Sequence, residues 1–201
     1  MNIKYARPET AFVTQEFVKT CIGLCYHLQF LRVFQVLHHL ETNADGKNFP
    51  GIEATVREAR RVIKTGGVLS ISTVLPSEFS PKQWFDRLEE IIGDRYYKKF
   101  PEARQWMAIL EKCGFTTITI VTVKADQPRQ ITNEKYDPEG PSRKTWRDGD
   151  SYWAVATRDE IVAVEQRIES MKMNGTLAEY VSENDKTDGF YDVAFIFAKP
   201  V

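Results

Sequence analysis

From Leu31 to Val36 the apolar residues Leu31, Val33, Phe34 and Val36 crowd into a short run, the pattern of a buried strand, and the run ends at His38-His39-Leu40. A polar loop from Glu41 to Asn48 leads to a helix opened by Pro50, whose missing N–H costs nothing in a first turn. Ile52, Val56, Ala59 and Ile63 carry its apolar face at helical spacing. Gly66 and Gly67 predict the helix end, and Val68 to Val74 the next strand. Ser80 and Pro81 predict the N-cap and first residue of a second helix with Trp84, Phe85, Leu88, Ile91 and Ile92 on one side. A shorter helix from Glu102 to Cys113 stops at Gly114. Thr116 to Val123 then alternates Ile118 and Ile120 with Thr117 and Thr119, which predicts a strand.

Residues 125–156 are expected as an insertion or lid, polar and broken by Asp137-Pro138, Gly140-Pro141 and Asp148-Gly149. Asp148-Gly149-Asp150 reads as a hairpin turn, and Trp146, Tyr152 and Trp153 as residues packing the insertion. Thr157 with Glu160 has the spacing of a capping box, repeated by Thr176 with Glu179. Between them Ile161, Val164, Ile168 and Met171 form one helical stripe, and Phe190 to Ala198 predicts a last strand. Alternating strands and helices imply an α/β fold with a mostly parallel sheet, because parallel neighbours need long crossovers. The organisation expected is a divergent N-terminal segment, 1–30, ahead of a domain over 31–201. Within 1–30, Glu9 to Tyr26 reads as helical through Phe12, Phe17 and Cys21, and Asn2 to Ala6 as a short strand.

Composition narrows the function classes. The 27 Lys and Arg nearly balance the 28 Asp and Glu, so no strong field favours nucleic acid. No apolar run reaches the roughly 20 residues that span a bilayer, and the first residues do not show a basic segment followed by a hydrophobic signal core. Three cysteines suit the reducing cytoplasm better than a disulfide framework. Cys21, Cys25 and His27 lie close in sequence but lack a second pair at zinc spacing, so no metal site is expected.

Phe34-Gln35-Val36-Leu37-His38-His39-Leu40, followed by Arg61-Val62-Ile63-Lys64-Thr65-Gly66-Gly67 and the strand Val68 to Val74, resembles the second half of class I S-adenosylmethionine-dependent methyltransferases. The resemblance continues at lower specificity through Leu110-Glu111-Lys112-Cys113-Gly114-Phe115 and the closing strand Asp192 to Lys199, and covers roughly residues 28 to 201. It implies a partial Rossmann-like sheet made of the family's fourth to seventh strands, with helices on both faces and an antiparallel last strand. It also implies S-adenosylmethionine as cofactor and a small-molecule methyl acceptor. By the same resemblance Gln35, Val36 and His38 stand on the cofactor side and His39 is the candidate catalytic base. Ser72, Thr73 and Trp84 border the substrate. For the two histidines, packing against the loop and the next helix is an equally open reading, and for Trp84 a place on an apolar helical stripe.

The family's first half, with its glycine-rich cofactor loop, has no counterpart here. Gly23 is the only glycine before Gly46, so no Gly-x-Gly pattern precedes the His-His motif. The family's first strand adjoins its fourth, so the strand 31–36 is expected to expose an edge. Self-association, a partner chain, cover by the N-terminal segment and an incomplete sequence are the open readings. With them stand two functions: a methyltransferase-like protein, either active or truncated and inactive as an isolated chain, and a non-catalytic binding or regulatory relative.

Overall fold

The computed structural model describes residues 10–13, 28–42, 45–78, 83–123, 137–148, 150–185 and 193–201. The chain divides into two compact units, each described by itself: one comprises Met1–Ser77, Lys99–Val123 and Val193–Val201, the other Glu78–Lys98 and Lys124–Asp192.

The first unit is built on a five-stranded sheet of β1 (Thr10–Val13), β2 (Leu28–Phe34), β3 (Ile63–Thr73), β4 (Phe115–Val123) and β5 (Val193–Pro200). Their order is β1-β2-β3-β5-β4. β1, β2 and β3 are mutually parallel, whereas β5 runs antiparallel to both of its neighbours. This is the mostly parallel sheet with an antiparallel last strand that the alternation and the resemblance imply. Helices α1 (Pro50–Val62) and α3 (Ala103–Lys112) contribute Ile52, Val56, Trp106 and Leu110 to one core with Leu31, Val33, Leu69, Ile71 and Ile196. The alternation of strand side chains sets this division, since residues two apart share a face.

Two boundaries in this unit depart from the sequence pattern. Thr10–Val13, expected within a helix, is a strand lying parallel along Phe30–Val33, so the edge expected to stand open on the strand 31–36 is occupied by the chain's own N-terminal part. The rest of that expected helix, the Asn2 to Ala6 strand and the Cys21, Cys25 and His27 cluster lie outside the described residues. Gly66 and Gly67 do not end α1. The helix stops at Val62, and both glycines fall inside β3, where the ladder skips from Leu28↔Ile63 to Phe30↔Val68. The four residues between are accommodated by the left-handed Gly66, at φ 77°.

The second unit contains α2 (Glu90–Tyr97), the single turn α4 (Lys144–Arg147), α5 (Arg158–Met173) and α6 (Leu177–Asn184). Its core is Trp84, Phe85, Leu88, Ile92, Tyr152, Trp153, Val164, Ile168 and Leu177. The helix expected to run on from Ser80 is broken. Trp84–Arg87 is a 3-10 turn closed by Gln83 and Asp86 as reciprocal caps, Glu89 is extended, and α2 restarts at Glu90. The shift in phase leaves Ile91 exposed. Ser80 and Pro81 lie outside the described residues. Thr157 and Glu160 form the expected capping box. Thr176 does not, its hydroxyl donating instead to Met171 O at 3.4 Å. Asp148 follows the helical turn α4 rather than a strand, so the expected hairpin turn is absent among the described residues.

Candidate functional site

In open α/β sheets ligands sit beyond the carboxyl ends of the parallel strands, which here are Phe34 of β2 and Thr73 of β3. The chain leaves β2 through Gln35, the one non-glycine residue with positive φ, at 44°, among the described residues. Its backbone N–H donates to Ser72 O at 2.9 Å and pins the turn to β3. A left-handed conformation costs a residue with a Cβ about 1 to 2 kcal/mol, and such cost concentrates at ligand-binding positions.

Past Gln35 and Val36 the backbone closes into a 3-10 helix, Leu37–Leu40, with Val36 as its N-cap. His39 N–H donates to Val36 O and Glu41 N–H to His38 O. His38 points inward, 8% exposed, and lies flat on Phe100 with ring centroids 4.6 Å apart. His39 is exposed, its ring centroid 4.0 Å from that of His38. Burial, with His39 and Lys99 nearby, pushes the His38 imidazole down to about 3. Partial burial and Lys99 lower His39 as well. Both rings are therefore neutral at pH 7, and the exposed one is free to accept a proton there.

Glu41 fixes this turn from behind. Its carboxylate, 3% exposed, accepts the Ile52 N–H at 2.8 Å and so caps α1 from nine residues before Pro50. The two elements approach so closely that a Cβ on Gly51 would stand 2.7 Å from Leu40 O. Ser77 and Glu102 add a hydrogen bond of 2.7 Å within the same unit.

The structure brings Gln35, Val36, His38, His39, Ser72 and Thr73 to the ends of two adjacent strands. Ser72 Oγ is buried with no hydrogen-bond partner among the described residues, a polar atom that a ligand donor or acceptor would satisfy. Thr73 Oγ1 makes a long contact of 3.4 Å to Val74 O. Trp84 is in the core of the other unit. Glu41, Lys99 and Phe100 were not singled out from sequence. Glu41 reads as one polar residue of a loop, and no spacing rule links Phe100 to a histidine 62 positions earlier. Among the described residues no group of three metal-ligating side chains comes together, and no helix is long and apolar enough to cross a membrane.

No protein-family model matches the chain and no curated protein matches it in sequence. Solved structures do match. A protein of Anabaena variabilis described as a methyltransferase from an antibiotic biosynthesis pathway superposes with a TM-score of 0.66 at 15% identity, over 97% of this chain and 75% of that one. A Bacillus halodurans protein described as a methyltransferase gives 0.43 at 18%, over 92% and 75%. Phosphoethanolamine N-methyltransferase 2 of Haemonchus contortus gives 0.35 at 14%, and there the chain spans 35% of the other protein's length.

Proposed function

We propose, from a chain that has the class I methyltransferase fold, that it is an S-adenosylmethionine-dependent methyltransferase-like protein acting on a small molecule. The left-handed Gln35 at the end of β2 carries this reading. The turn holds the Gln35, Val36 and His38 segment over the mouth of the sheet, and that segment is proposed to meet the methionine half of the cofactor. Ser72 Oγ and a neutral His38 fit such a ligand, since neither sets a positive charge against a sulfonium. The bound cofactor supplies a methyl group on sulfonium sulfur, and alignment of acceptor and methyl is the main demand on the protein. His39, exposed and neutral at pH 7, is proposed to take the acceptor's proton as general base. Ser72 and Thr73 are proposed to border the acceptor.

A second reading, a non-catalytic relative that has lost the cofactor and serves as a binding or regulatory protein, is favoured by one observation. Between β1 and Gly46 the only glycine is Gly23, so the close backbone approach that a Gly-x-Gly loop gives a cofactor is not encoded there. Calorimetric titration of the folded chain with S-adenosylmethionine separates the two. Saturable micromolar binding, weakened about tenfold or more by Gln35→Ala, supports the first reading. No binding by a chain with intact circular dichroism removes it.

A further inference from the structure

β4 is the sheet's outer strand. It pairs only with β5 among the described residues, and none of those residues ladders with the backbone N–H and C=O groups along its other edge. Proteins usually blunt such an edge with lysine, proline, a bulge or extreme shortness. β4 has none of these over its regular length. Phe115-Thr116-Thr117-Ile118-Thr119-Ile120-Val121-Thr122-Val123 carries no charge, no proline and no glycine. Its one irregularity falls at its start, between Phe115 and Thr117. Thr117, Thr119, Val121 and Thr122 are exposed.

We propose that this edge joins two copies of the chain by antiparallel pairing of β4 with β4, turning two five-stranded sheets into one of ten strands. The sequence of the strand selects a second copy over a foreign peptide. A twofold axis lays a strand against itself, so any charge on it would meet a like charge across the axis in some register. A strand of Thr, Ile and Val meets none, and its β-branched pairs are favourable in a ladder. Equally, an edge without charge offers nothing with which to choose a foreign strand. With the axis at Ile120, Thr119 faces Val121 of the second copy. Both lie on the face that carries Phe197, which pairs with Thr119 across the sheet. Val121 is 42% and Phe197 38% exposed, and the axis would bring the two copies of this apolar patch together. The association is isologous and closes at two, as twofold interfaces do.

The test is the solution mass of the purified full chain by light scattering across a concentration series, with circular dichroism as the check of fold. The expected mass is twice the 23.2 kDa of one chain. Thr119→Lys/Val121→Lys and Thr119→Glu/Val121→Glu, both changed at exposed positions, are each expected to run at the mass of one chain. A one-to-one mixture of the two is expected to return to twice that mass, because with the axis at Ile120 each lysine then faces a glutamate. A wild-type chain at the mass of one, species growing without limit, or a dimer that neither variant disturbs would each overturn the proposal. Recovery by mixing does not depend on cofactor binding, so the outcome is separate from that of the titration above.

Discussion

His38 sits against Phe100 in a space that holds a neutral ring, and the linkage between protonation and folding follows from that. The unfolded imidazole titrates near 6.5, whereas the folded one is held at about 3. As pH falls the unfolded chain takes the proton first. This group therefore leaves stability unchanged above pH 6.5 and removes it progressively between 6.5 and 3. The loss is about 2 kcal/mol at pH 5. Urea unfolding at pH 7.5 and at pH 5 should show that difference shrink in His38→Phe, which keeps the stack on Phe100 and removes the titrating group. An unchanged pH dependence would mean the ring is hydrated in solution. Glu41 supports the same turn by accepting the Ile52 N–H. Glu41→Ala should cost about 1 to 2 kcal/mol, the range of a lost helix cap. Glu41→Gln, which keeps an acceptor oxygen, should cost clearly less, and equal losses would show that the carboxylate does not act as a cap. At this scale the sequence was legible where chemistry is local. The pattern located the strand, and the resemblance, not the pattern, singled out Gln35, His38 and His39. Glu41 and Phe100 act through partners 11 and more residues away, which periodicity does not reveal.

At the scale of elements, caps decided where the pattern held. α5 begins where Thr157 and Glu160 predict, and Glu160 has a further role there. It takes two hydrogen bonds from the Arg95 guanidinium, at 2.9 and 2.6 Å, so one carboxylate both caps α5 and joins it to α2. Arg95 and the Thr157 contacts hold the Glu160 carboxyl down at about 2. That contribution is complete above the ordinary carboxylate range and is lost as pH falls toward 2. A double-mutant cycle on Arg95→Met and Glu160→Gln should give a coupling of about 0.5 to 1 kcal/mol at neutral pH, allowing for the part of Arg95 that solvent screens. The coupling should fade below pH 4, and one that persists at pH 2 would contradict the pairing. The helix expected after Ser80 failed for a related reason. Gln83 and Asp86 cap each other around a single 3-10 turn, and Asp86 at the third position looks in sequence like an ordinary helical acid. Gly66 and Gly67 misled because a glycine pair marks either a helix end or a strand irregularity, and only the pairing of β2 with β3 decides between them.

At the scale of the whole molecule the chain order of strands and their order in the sheet disagree. β5, the last strand in sequence, lies between β3 and β4. It carries Ile196 and Ala198, both fully buried, into the core of the first unit. Alternation along the sequence predicted the strands but not this placement, and the resemblance implied only that the last strand runs antiparallel. The placement governs how the protein is made. During synthesis α1 and β3 can settle on β2 soon after they leave the ribosome, but β4 emerges with neither of its edges paired and waits through about 70 further residues for β5. At an elongation rate of about 5 to 20 residues per second, an uncharged strand of threonine, isoleucine and valine stays unpaired on the nascent chain for several seconds. A strand exposed to misassembly on the ribosome is thus the same one whose edge is proposed to join two finished copies.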